Sequence, residues 1–88
     1  MKYQVIFTNK VAKAIRQLNK KDIPHIIEKA ESLAKDPRPE GSKKLSGIQE
    51  DFWRIRVGNY RIIYLIKDEI KIVKITKVGH RKDIYRKK

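Results

Sequence analysis

Three arginines frame a two-residue turn signal in the stretch 52-FWRIRVGNYRIIY-64: Arg54 and Arg56 precede Gly58-Asn59, and Arg61 follows it. A guanidinium is a planar fork of donors that matches phosphate oxygens two at a time, which the point charge of lysine cannot do. Three such groups on one surface make a phosphate-backbone site; scattered, they make nothing. Strand geometry decides between these. Gly58 suits the first central position of a type II′ hairpin turn, and a two-residue loop there fixes the pairing. Val57 faces Tyr60, Ile55 faces Ile62 and Trp53 faces Tyr64, all on one side because strand side chains alternate. On the other side Arg56 pairs with Arg61, Arg54 with Ile63, and Phe52 with Leu65.

Like charges directly opposite across a strand pair are destabilising, by about a few tenths of a kcal/mol when exposed, since such pairs are worth about 0.2–1 kcal/mol each. The Arg56–Arg61 pair therefore does not serve folding, and its presence points to a ligand. A two-residue second turn at Asp68-Glu69 would carry Lys74 and Thr76 onto the same side, next to Ile63 and Arg61. Lys74 is thus a candidate contact to a nucleic-acid strand, and Lys77 is taken as another. Phe52 either stacks a base or packs with Leu65 at the sheet margin.

The elements that must position these groups are legible as patterns. Residues 2–7 alternate Tyr3, Val5 and Phe7, a strand signature. Thr8 or Asn9 can cap a helix whose apolar stripe is Val11, Ile15 and Leu18. A second helix starts near Asp22 with Pro24 in its first turn, where the missing N–H costs nothing. Its stripe is Ile23, Ile26, Ile27, Ala30, Leu33 and Ala34. Residues 36–47, DPRPEGSKKLSG, are rich in Pro, Gly and Ser and read as the crossing from helices to sheet. From about residue 48 to 78 β-branched and aromatic residues dominate. The spacing predicts an α+β domain over residues 1–88. Its elements are an N-terminal strand, an antiparallel helical hairpin and a three-stranded antiparallel meander, all in one sheet.

Bulk composition narrows the partners. The 88-residue chain carries 23 Lys+Arg against 10 Asp+Glu, a formal net charge of +13. Self-repulsion at that charge opposes compactness, and a phosphate backbone is the partner that best accounts for it. An acidic protein is second, and an anionic membrane third, because no strongly amphipathic basic helix stands alone. There is no cysteine, which excludes disulfides and thiolate sites. Two distant histidines, His25 and His80, speak against a metal site. The apolar run in MKYQVIF is too short for a signal-peptide core, and no apolar segment reaches transmembrane length. The expectation is a soluble cytoplasmic protein. His25 reads as a surface residue. The tail GHRKDIYRKK adds His80, Arg81 and Tyr85, which are expected to leave strand geometry after Gly79 and fold back beside the arginines.

The order of elements, together with FWRIRVGNYRIIYLI and VGHRKDIY, resembles the RelE/ParE superfamily of toxins over nearly the whole chain. The resemblance implies the toxin of a toxin–antitoxin module, held by an acidic RelB-like antitoxin whose complex binds operator DNA. It implies no cofactor and no membrane partner. RelE-type members are ribosome-dependent endoribonucleases that turn a 2′-hydroxyl of messenger RNA against the adjacent phosphate. By resemblance, Arg61 matches the transition-state arginine, Arg81 the arginine of the C-terminal motif, and Tyr85 the tyrosine that orients the nucleotide. Arg54 and Arg56 stand where two catalytic lysines are expected. That is a departure, because arginine, with a pKa above about 12, cannot act as a base. Arg54 is then an electrostatic stabiliser, and the base is His80, Tyr85 or a group of the ribosome. Two further readings stay open: a ParE-like poison of DNA gyrase, which the His80-Arg81 pair keeps in view, and an inactive basic module that binds antitoxin and operator.

Overall fold

The structure is a computed structural model that describes residues 2–47 and 49–80; Arg81 and Tyr85 lie outside the described residues. Strand β1 (Gln4–Phe7) runs into helix α1 (Asn9–Arg16), then α2 (Ile23–Ser32), β2 (Lys43–Lys44), β3 (Phe52–Val57), β4 (Tyr60–Lys67) and β5 (Ile72–His80). The strands form one sheet in the order β1-β5-β4-β3-β2. β1 is parallel to β5 and every other pair is antiparallel. The expected α+β plan holds, with one strand more than expected. β2 lies inside the stretch read as a simple crossing, pairing Lys43 with Arg54 and Lys44 with Trp53.

Both helices start where the residues predict. Thr8 caps α1 by accepting from the Val11 N–H at 3.1 Å, which satisfies one of the open donors of the first turn. Asp22 holds the cap position of α2 without a side-chain cap bond. Its carboxylate accepts instead from the Tyr60 hydroxyl at 3.0 Å, tying the start of α2 to the tip of the β3–β4 hairpin. That bond also holds the Tyr60 phenol above its ordinary pKa.

The apolar stripes meet over one face of the sheet. Val11 and Ile15 of α1, Ile26 and Ala30 of α2, and Leu33 just beyond it pack with Ile55, Ile62, Tyr64, Ile66, Val73, Ile75 and Val78. Tyr64 is the largest fully buried side chain. Burial pushes its phenol up to about 12, and its hydroxyl donates to the Pro37 carbonyl at 2.8 Å, which satisfies a group that would be costly if left alone.

Two irregularities set the register of β5. The second turn spans four residues, since Lys67 pairs with Ile72, and Lys71 in it has a left-handed φ of 56°. A bulge then falls between Ile63 and Tyr64, which pair with Lys77 and Ile75 and leave Thr76 as the extra residue. The Thr76 hydroxyl donates to the Ile63 carbonyl at 3.1 Å. One extra residue restores the alternation, so that Val73, Ile75 and Val78 all reach the core despite odd spacing.

At the end of the sheet away from the Gly58 turn, Arg38 anchors the 36–47 segment. Its guanidinium donates to Asp51 and, at 2.8 Å, to Asp68, and sits 5.6 Å from the centre of the Trp53 ring. Asp68 also accepts from the Tyr3 hydroxyl, and Asp51 from the Trp53 indole at 2.7 Å. Bonds from Arg38 and Tyr3 hold the Asp68 carboxyl down at about 2. Burial pushes the Asp51 carboxyl up, but bonds from Trp53 and Arg38 leave it net below the ordinary range.

A carboxyl whose folded pKa lies below its unfolded value stabilises fully above the unfolded value and stops doing so as it protonates. Thermal stability should therefore fall as pH drops from about 4 to about 2, the window set by Asp68. Melting curves across that range should show a smaller fall for Asp68→Asn than for the wild type. An equal fall in both would remove Asp68 from the anchor.

Candidate nucleic-acid interface

The sheet face opposite the helices reads as three rows of directly opposed residues. From β2 to β5 the first row is Lys43, Arg54, Ile63, Lys77. Beside it, toward the Gly58 turn, run Arg56, Arg61 and Gly79. On its other side run Phe52, Leu65 and Lys74, with Ile6 of β1 opposite Lys74. Three arginines and three lysines thus share one face.

The hairpin that carries the arginines has the expected register at every pair. Gly58 takes a φ of 58°, while Asn59 is not among the left-handed residues, which is the type II′ pattern. The two strands therefore present Arg54, Arg56 and Arg61 together. Their environments differ. Arg56 is exposed, Arg54 half-buried, and Arg61 only 9% exposed. A charge set that low in the surface meets less solvent screening than one on the rim, so it acts more strongly on an anion beside it.

The carboxylates that form ion pairs among the described residues do so away from this face. Asp51 and Asp68 bind Arg38, Lys44 adds to Asp51 at 3.5 Å, and Glu50 lies 4.0 Å from Lys67. Among the described residues, no ion pair neutralises Arg54, Arg56, Lys43, Lys74 or Lys77. Charge is segregated among the described residues: a cluster of paired charges lies at one end of the sheet, and Arg54, Arg56, Lys43, Lys74 and Lys77 lie across the face opposite the helices.

Two expectations need correction, and one pair of alternatives is narrowed. Lys74 does not stand beside Ile63, nor Thr76 beside Arg61, because the four-residue turn and the bulge shift β5 along β4. Lys77 and Gly79 take those places, and Lys74 stands by Leu65. Phe52 is half-buried directly opposite Leu65, itself 6% exposed, which is the packing arrangement rather than a free stacking platform. His80 does not leave strand geometry. It remains in β5 opposite Tyr60, with the two rings edge to face at 5.9 Å. Successive strand residues alternate, so Gly79 lies on the arginine face and His80 on the other. There it lines a cleft of about 570 Å³ with Asp22, His25, Ile26 and Tyr60. The sheet stands between the His80 imidazole and the arginines. Among the described residues no group of His, Asp and Glu could hold a metal ion.

Comparison with known proteins gives the chain a family. Residues 5–85 match the sequence model described as the ParE toxin of type II toxin–antitoxin systems. The chain belongs to that family. Toxin RelG of Mycobacterium tuberculosis is 33% identical over 91 residues, covering 99% of this chain and all of that one. A chain of the archaeal RelE–RelB complex from Pyrococcus horikoshii superposes with a TM-score of 0.82 at 32% identity, over 94% of this chain and 99% of that one. A chain of the RelBE2 toxin–antitoxin complex from M. tuberculosis gives 0.80 at 29% identity, over 92% and 100%. Within the RelE/ParE superfamily, then, this is a RelE-like toxin of a type II toxin–antitoxin system.

Ile55 and Arg56 are sequence neighbours on opposite faces, which makes a stability contrast. Ile55→Ala should lose about 2–5 kcal/mol, the cost of truncating a buried isoleucine. Arg56→Ala should stay within about 0.5 kcal/mol of wild type or gain slightly, as the repulsion with Arg61 is relieved. Urea titrations of both variants check this. A loss above about 1 kcal/mol for Arg56→Ala would mean that the arginine pair serves the fold.

Proposed function

We propose that this chain is a ribosome-dependent endoribonuclease that cleaves messenger RNA and so inhibits translation. The observation that carries this reading is the direct Arg56–Arg61 pair beside Arg54, a repulsive arrangement that phosphate relieves. In the reaction the 2′-oxygen of one nucleotide bonds to the adjacent phosphorus as the bond to the 5′-oxygen breaks. The 2′-hydroxyl gives up a proton to a base and the leaving 5′-oxygen takes one from an acid. Between those events the phosphorane carries extra negative charge. Arg61, low in the surface, and Arg54 and Arg56 above it supply fixed positive charge where that charge develops.

None of the three can serve as base. The place of His80 across the sheet argues against it too, which leaves Tyr85 or a group of the ribosome to take the proton. Arg81 contributes a further positive charge in this reading, and Lys77 and Lys74 of β5, opposite Ile63 and Leu65, guide the strand. Residues 1–88 act as one toxin domain in this reading. An acidic antitoxin of the RelB kind neutralises the +13 charge; complementary charge would speed its association. The solved relatives named above are toxin–antitoxin complexes, which supports such a partner, and operator DNA would be reached through it. No helix among the described residues is long and apolar enough to cross a membrane, in keeping with a cytoplasmic site of action on ribosomes.

The ParE description of the matching family favours a second reading, a poison of DNA gyrase that leaves RNA intact. Induction of the chain without antitoxin, followed by mapping of transcript ends, separates the two. Cuts phased with codons support the nuclease; intact messages with a DNA-damage response support the gyrase poison. Arg61→Ala and Arg81→Ala should each lower cleavage by about 10²–10³, the range for removing one transition-state stabiliser. Both should relieve growth arrest while folding normally. Full toxicity in both would refute the site.

A further inference from the structure

Lys43 is placed where no sequence pattern put it. It pairs with Arg54, is exposed, and ends the row that continues through Ile63 to Lys77. Adjacent strands lie about 4.8 Å apart, so the long Lys43 side chain comes from the strand next to Arg54. A phosphate held at Arg54 would have Lys43 beside it toward the sheet edge. Resting on the nuclease reading above, we infer that Lys43 grips the substrate phosphate flanking the reacting one, and that the Arg38 anchor positions it.

A lysine on an edge strand has a second use, which is to stop that edge pairing with another chain. Lys43 and Lys44 would serve that use equally. They differ in face. Lys44 stands opposite Trp53, with its ammonium 3.5 Å from Asp51, on the side away from the arginines. A role in substrate binding belongs to Lys43 alone.

The positioning argument is one of length. β2 has two residues, tied on by the Leu45 N–H donating to the Phe52 carbonyl at 2.9 Å. So short a pairing holds its register weakly and depends on the chain leading into it. Five residues upstream, Arg38 is clamped to Asp51 beside β3 and to Asp68 in the β4–β5 turn. Between them Ser42 closes a turn with its N–H and hydroxyl both donating to the Pro39 carbonyl. Lys43 thereby emerges from a segment fixed to the strands that carry Arg54 and Arg61.

The test is single-turnover cleavage of a ribosome-bound message by the full chain, with toxin concentration and salt varied. Lys43→Ala should raise the half-saturating concentration about three- to tenfold and leave the plateau rate within about twofold. It should also flatten the logarithmic salt dependence by about 0.7, the loss of one contact to a single strand. Lys43→Arg should restore both, and Lys44→Ala should match wild type. Arg38→Ala should raise the half-saturating concentration in the wild-type background and add little on Lys43→Ala, because both act through one contact. Should Arg38→Ala fold poorly, Asp68→Asn, which leaves Arg38 its Asp51 partner, takes its place in that cycle. Equal effects of Lys43→Ala and Lys44→Ala, or none from Lys43→Ala while Arg61→Ala abolishes cleavage, would overturn the assignment and leave the nuclease reading standing. Additive effects of Arg38→Ala and Lys43→Ala would overturn the positioning role. No cleavage by wild type would overturn the nuclease reading and the assignment together.

Discussion

Strand alternation, locked by a two-residue turn, divides this molecule into a side that folds and a side that is left to act. Gly58 adopts a φ of 58° that costs a residue with a Cβ roughly 1–2 kcal/mol, and the turn it permits sets every pair of the β3–β4 hairpin. Shifted by one residue, the arginines would enter the core and Ile55 and Ile62 would face water. Because that shift is so costly, Arg56 and Arg61 are held opposite each other despite their repulsion. Core packing of one face is what makes the unfavourable arrangement on the other permanent.

The same economy shows in how charge is spread. Arg38 and the arginines of the sheet face are chemically identical, yet Arg38 is surrounded by two carboxylates and an indole. It crosslinks three segments distant in sequence, the 36–47 stretch, the start of β3 and the β4–β5 turn. The cations on the open sheet face have no such described partners apart from those of Arg61. A net charge of +13 is tolerable in so small a chain because the excess faces outward, where an acidic protein or a nucleic acid can offset it.

Much of this was legible before any coordinates. The β3–β4 hairpin could be read pair by pair because its turn is local and its alternation unbroken. Both helices could be read because their stripes and the Thr8 and Pro24 signals are local as well. What escaped was set by tertiary contact. The register of β5 depends on a four-residue turn with a left-handed Lys71 and on the bulge at Thr76, and neither Asp68-Glu69 nor Ile75-Thr76-Lys77 announces them. Lys77 therefore replaced Lys74 beside Ile63, and His80 came out on the helix-covered face. β2 is two lysines long, too short for any periodicity, so Lys43 was invisible as a member of the arginine row. The Arg38 anchor also escaped, because its partners Asp51 and Asp68 lie 13 and 30 residues away.

Where the reacting strand lies on the protein is the central question, and a structure of the toxin on a ribosome carrying a message with 2′-deoxy sugars at the cut site would answer it. Without the 2′-hydroxyl the message cannot react and should stay bound. The expected result is the scissile phosphate seated against Arg54, Arg56 and Arg61, with both helices turned away from the message. Message density along the Tyr60–His80 cleft, or a toxin docked with its arginine face toward solvent, would contradict the division of labour between the two faces of the sheet.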